Sequence, residues 1–160
     1  MIGDDCSVPR IVLDTNVCLD LLVFRDPACM PLHDALQRGA VHAMTRPDCR
    51  DEWLRVLHYP GLPVDDTSRP ALVAAFDALN HLAPAPLTDA VALPLPRCAD
   101  PDDQKFLELA LETGARWLLS KDKELLKLAS RAQRDCRFAI LQPQAWSLVE
   151  PSPRATDRVS

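Results

Sequence analysis

The residues best equipped for chemistry in this chain are acids, and their positions follow a pattern. Asp14 ends the short branched run Arg10-Ile-Val-Leu-Asp14, and Asp122 follows Trp117-Leu-Leu-Ser120 by two residues. Glu52 lies in a helical pattern in which Cys49, Trp53, Val56 and Leu57 make one apolar stripe. At 100° per residue it falls on the rim of that stripe, while Asp51 and Arg55 point away. Asp103 precedes Phe106, Leu107 and Ala110 by three, four and seven residues, which places it near the middle of an inward helix face. Asp102 falls at the edge of the same face, and Asp100 reads as an N-cap with Pro101 in the first helical position.

An inward-facing carboxylate is costly unless it is paired or metal-bound. No Lys or Arg is obviously placed on the Asp103 face, because Lys105, Glu108 and Glu112 fall on the polar one. A cation is therefore the natural partner. Helix capping is the competing account of Asp14 and Asp122. First-turn amides favour a nearby acid by about 0.3–1 kcal/mol, but they do not explain why Asp103 points inward. Several carboxylates in one pocket repel each other and partly protonate without a counterion. Oxygen-only ligands favour Mg²⁺ or Mn²⁺ over zinc. Mg²⁺ binds through one or two carboxylates plus phosphate oxygens and keeps several waters, which is equipment for hydrolysing a phosphodiester.

The elements that must position these acids belong to a chain of 160 residues, 48% hydrophobic and 26% charged. That length suits one compact domain. Only 5% of residues are aromatic, so an aliphatic core is expected. The composition excludes a disordered or collagen-like polymer. No apolar stretch approaches the roughly 20 residues that span a bilayer. The start, Met1 to Val8, shows no secretory signal, and the expected location is cytoplasmic. Eighteen Lys+Arg against 23 Asp+Glu give a net charge of −5, which excludes a globally basic nucleic-acid binder but not a local basic face. The six cysteines (6, 18, 29, 49, 98, 136) contain no C-x-x-C pair. This argues against structural zinc and for free thiols. The four histidines (33, 42, 58 and 81) show no metal-ligand spacing.

Periodicity predicts a strand at residues 10–14, helices at 16–24 and 30–38, and a strand at 40–44. Thr45 reads as the N-cap of a helix to about His58, and another helix spans Ser68 to His81. The proline-rich residues 84–101 read as an extended surface connector. A helix from Asp100 to Thr113 follows, closed by Gly114. Then come a strand at 116–120, a basic helix at 122–132, a strand at 138–141 and a short helix at 143–149. Alternating strands and helices predict an α/β fold, a three-layer α/β/α sandwich around a mainly parallel sheet. Ligands of such sheets lie beyond the carboxyl ends of the strands, where Asp14 and Asp122 fall.

Four stretches, taken in order, resemble the PIN-domain ribonucleases, and most closely the branch of toxins from bacterial toxin–antitoxin pairs. They are Ile11-Val-Leu-Asp14-Thr-Asn16-Val, Glu52-Trp-Leu-Arg-Val56-Leu57, Asp100-Pro-Asp-Asp103-Gln-Lys-Phe-Leu-Glu-Leu-Ala110 and Leu118-Leu-Ser-Lys-Asp122-Lys-Glu-Leu-Leu126. The resemblance implies one PIN-like nuclease domain over residues 1–150, with a polar tail at 151–160. It implies Mg²⁺- or Mn²⁺-dependent cleavage of single-stranded RNA, with Asp14, Glu52, Asp103 and Asp122 catalytic. Of these, Asp14, Asp103 and Asp122 would bind metal. Asn16 would orient Asp14, and Ser120 would supply a supporting hydroxyl. A small antitoxin protein and a homodimer are the implied partners.

RNA also needs cations. Lys121, Lys123, Lys127, Arg131, Arg134 and Arg137 form a basic face, with Arg46 and Arg50 as further candidates. Two other readings stand beside the nuclease. A haloacid-dehalogenase-like phosphatase also starts with Asp after a strand, but it wants a second Asp where Asn16 stands. The other is a non-catalytic PIN-like partner-binding module.

Overall fold

The computed structural model describes residues 8–83, 98 and 101–148. Its centre is a sheet of five parallel strands: β1 (Arg10–Leu13), β2 (His42–Thr45), β3 (Asn80–Leu82), β4 (Trp117–Leu119) and β5 (Ala139–Leu141), in the order β3-β2-β1-β4-β5. Central strands of a parallel sheet are covered on both faces, and the buried runs Ile11–Leu13 of β1 and Trp117–Leu119 of β4 are apolar for that reason. In β1, Ile11 and Leu13 enter one core while Val12 enters the other. In β4, Trp117 and Leu119 join the first core and Leu118 the second.

The first core is closed by α1 (Thr15–Leu22), α2 (Met30–Gln37) and α4 (Arg69–Leu79), with Trp53 of α3 (Pro47–Val56) stacked on Phe76. The second is closed by α5 (Gln104–Thr113), α6 (Lys123–Leu126) and α7 (Ala129–Cys136). The result is the expected three-layer α/β/α arrangement. Gly39 and Gly114 follow α2 and α5 in the left-handed conformation (φ +77° and +67°), and each lets the next amide reach back to the last turn.

Several local expectations need correction. Thr45 is the last residue of β2 rather than a cap. Arg46 takes the N-cap position of α3 and Pro47 begins the helix, where its missing N–H costs nothing. The helix expected to reach His81 stops at Leu79, and Asn80–Leu82 forms edge strand β3 against β2. The basic helix is two helices, which turn at Lys127–Leu128 so that Leu125 and Ala132 both reach the second core. After β5, only Pro143–Ala145 forms a 3-10 turn. The helix at Asp103 opens with a 3-10 turn, Pro101–Asp103. The proposed surface connector and the Asp100 cap lie outside the described residues. Cys98, a described residue in that stretch, is buried and donates its amide to Gln104 Oε1 at 2.7 Å. Among the described residues the cysteines at 18, 29, 49, 98 and 136 are free thiols, and no helix is long and apolar enough to cross a membrane.

Trp53 is 0% exposed and fills the junction of α3, α4 and the first core. Trp53→Ala should cost about 3–5 kcal/mol in urea unfolding. Tyr59→Ala, at a residue 58% exposed, should change stability by no more than about 0.5 kcal/mol.

Candidate active site

Strands β1 and β4 are neighbours, yet the chain visits β2 and β3 on one side of β1 and β4 and β5 on the other. This reversal opens a crevice at their carboxyl ends, the place where open α/β sheets bind ligands. Asp14 leaves β1 there, tied to β4 by its amide, which donates to the Leu119 carbonyl at 3.1 Å. Its extended backbone makes it the N-cap of α1. One carboxylate oxygen, Oδ1, accepts from the Val17 amide at 3.0 Å, and the other, Oδ2, accepts from the Ser120 hydroxyl. Ser120 is fully buried at the end of β4, and its Oγ accepts the Asp122 amide at 2.9 Å. Asp122 in turn caps α6 through the Glu124 amide at 2.8 Å. Both strand-end acids therefore cap helices, and a single hydroxyl links them.

Asp14 is 3% exposed. Burial is the largest influence on its carboxyl, and the charges of Asp122 and Glu52 add to it. Against these act the hydrogen bonds from Ser120 and Val17. The balance pushes the group up to about 6. Glu52 and Asp122 thus act on Asp14 from two different elements, α3 and the start of α6. Glu52 sits half-buried, as its rim position predicts. Its partner is Lys105 of α5, whose long stem carries the ammonium from the helix's polar face to Glu52 Oε1.

Asp103 ends the 3-10 turn before α5 with Oδ2 buried, two residues before that lysine, and makes no cap of its own. Of Asp102 only the backbone is described. Asn16 is exposed, and the contacts on the Asp14 carboxylate come instead from Ser120 and Val17.

The structure also shows a cluster that the sequence reading passed over. Among the described residues, Asp20, Asp26 and Cys29 bring ligating atoms within 4.8 Å of one another. Asp20 is buried within α1 and pairs with Lys121 Nζ at 2.7 Å, Asp26 caps the 3-10 turn Pro27–Cys29, and burial pushes the Cys29 thiol up to about 11. The only sequence signal was an acid inside an otherwise apolar helix.

Three expected RNA contacts are already committed elsewhere. Arg46 bonds Asp48, Glu108 and Glu112, Arg50 forks onto Asp77 with two 2.8 Å bonds, and Lys121 holds Asp20. Lys123, Lys127, Arg131, Arg134 and Arg137 remain exposed on α6, α7 and the turn after them, starting beside Asp122. The pairs Lys127–Glu124 and Arg134–Asp135 on that face are exposed and weak enough to exchange.

Asp14 and the two acids that act on it through charge, Asp122 and Glu52, offer a set of oxygen donors whose strained member, Asp14, is relieved by added positive charge. The set fits a hard divalent cation. The same strain sets a pH dependence. Asp14 holds its proton up to about 6 when folded, against an ordinary 3.8. Between those values the folded chain binds more protons than the unfolded one, so this group's contribution falls as pH rises through the window and is level above it. In chelator-treated buffer, stability of Asp14→Asn relative to the native chain should therefore improve by about 2 kcal/mol between about pH 4 and pH 7. Urea unfolding at intervals across that range measures it.

No curated protein matches the chain. The family profile described as PIN domain matches residues 10–124, from the first residue of β1 into α6, a span that contains all four acids. Since that match takes in β1, β2, β3 and β4 as well as the crevice between β1 and β4, the chain belongs to the PIN-domain family, whose members are typically metal-dependent nucleases.

Proposed function

We propose that this protein is a metal-dependent endoribonuclease that hydrolyses phosphodiester bonds in single-stranded RNA. The observation that carries the reading is the Asp14 carboxyl, 3% exposed at the sheet's reversal point, fixed by Ser120 and Val17 and faced by the charges of Asp122 and Glu52. Asp14, Asp103 and Asp122 would hold Mg²⁺ or Mn²⁺. The cation, when bound, supplies a lowered pKa for its water and charge stabilisation for the phosphate. Ser120 fixes the Asp14 oxygens, and its neighbouring amide contact sets where Asp122 starts. Glu52 accepts the proton of the attacking water as the new P–O bond forms and the bond to the leaving oxygen breaks. Exposed Lys123, Lys127, Arg131, Arg134 and Arg137 hold flanking phosphates in a salt-sensitive way.

The resemblance to toxins extends the proposal to a cytoplasmic toxin restrained by a small antitoxin protein that covers the acidic crevice, and to a homodimer. Among the described residues, no helix could place the chain across a membrane.

End-labelled single-stranded RNA and millimolar Mg²⁺ or Mn²⁺ test the activity. Asp14→Asn and Asp103→Asn should each lower cleavage by about 100-fold or more while keeping a cooperative unfolding transition. EDTA should stop cleavage by the native chain. Cleavage retained by both variants would refute the assignment. Phosphate release from a small monoester without RNA shortening would support a phosphatase, and calorimetry showing no divalent binding would leave a partner-binding module.

A further inference from the structure

Lys105 is the lysine that the acidic crevice has drawn in. Its side chain is 13% exposed, against 47% for Lys121 and 67% for Lys127 in their own ion pairs. Its ammonium reaches Glu52 across the gap between α5 and α3 and lies 5.1 Å from the centre of the Phe106 ring. A separate tie also joins these helices. Arg46, at the head of α3, already joins Asp48 to Glu108 and Glu112 of α5. The two cations differ in kind. Arginine's planar fork suits several fixed oxygens at once, whereas lysine is a compact charge on a flexible stem that can change partners without moving its helix.

We propose that Lys105 is the resident counter-cation of the acidic site and its phosphate-positioning residue. In the free protein it neutralises Glu52 and opposes the arrival of a divalent cation. When single-stranded RNA arrives, the ammonium passes to a non-bridging oxygen of the phosphodiester and frees the Glu52 carboxylate. Cation and RNA then bind with positive coupling through one side chain. This inference rests on the nuclease reading and assigns the charge that the four acids lack for holding an anionic substrate.

Mn²⁺ titration calorimetry tests it on the full chain, on K105M and on K105R, each with and without a nuclease-resistant phosphorothioate RNA. K105M keeps an unbranched stem over Phe106 but loses the charge. Without RNA it should bind Mn²⁺ at least about tenfold more tightly than the native chain. RNA should tighten Mn²⁺ binding by the native chain about fivefold or more, by K105R less than that, and should leave that of K105M unchanged. RNA binding itself should weaken in K105M alone.

Mn²⁺ affinity of K105M within twofold of native, or weaker, would overturn the inference and leave an ordinary ion pair. Loss of cooperative unfolding in K105M would also overturn it, by making the pair a strut of the fold. A native chain that binds no Mn²⁺ with or without RNA would remove the nuclease reading itself.

Discussion

One serine proton organises the crevice. The Ser120 hydroxyl has a single hydrogen to give, and it goes to Asp14. Its oxygen, left as an acceptor, is taken by the Asp122 amide. Because β1 and β4 are paired in register, with Leu13 opposite Leu119, the donor and acceptor meet without either strand deviating from its ladder. The Asp14 amide completes the tie by bonding Leu119. Two acids more than 100 residues apart in the chain are thereby fixed relative to one another. That precision comes from the sheet rather than from any loop.

Charge accounts for what surrounds this core. A buried carboxylate needs hydrogen bonds to remain tolerable, and Asp14 has them from Val17 and Ser120, yet burial and its acidic neighbours still dominate. Helix capping and metal binding, which stand as rivals when only the sequence is read, use different lone pairs of the same oxygens. Capping Val17 aims the carboxylate but does not neutralise it. A group that caps a helix and remains strained is therefore consistent with a second employer. The same reasoning separates Asp122, whose cap lies in a half-exposed position beside a run of exposed lysines and arginines.

The strands and the acids at their ends were legible because a branched apolar run ending in Asp is a local signal. Edge strand β3 was not legible. Asn80-His81-Leu82 continues the helical spacing of Leu72, Phe76 and Leu79, and only pairing with β2 marks the change. The division of α6 from α7 was hidden for a related reason: Leu125 and Ala132, seven residues apart, look like one face of one helix. At the site, Glu52 could be found by its rim position, but its partner could not. A helical wheel assigns a side chain by its Cβ direction, while the Lys105 ammonium ends far from its Cβ. Arg46 and Arg50 read as available cations because, apart from Asp48 beside Arg46, the acids that engage them lie on α5 and α4, 62, 66 and 27 residues away. Asp20 gave too little local contrast to be noticed.

The contrast between the two acidic clusters bears on what a hydrolytic site should look like before its ligands arrive. Asp20, Asp26 and Cys29 are closely convergent, but Asp20 is paired with a lysine, Asp26 caps a turn, and the thiol holds its proton firmly. Convergence there is already satisfied from within the protein. A centre that must admit a hydrated cation, an attacking water and a phosphate needs its donors spaced more widely, because Mg²⁺ keeps several of its waters and takes only one or two carboxylates. Asp122 and Glu52 act on Asp14 through charge without forming such a tight trio with it. Under the proposed nuclease reading, the open acids at the reversal point of the sheet suit such a centre better than the closely packed, internally satisfied trio does.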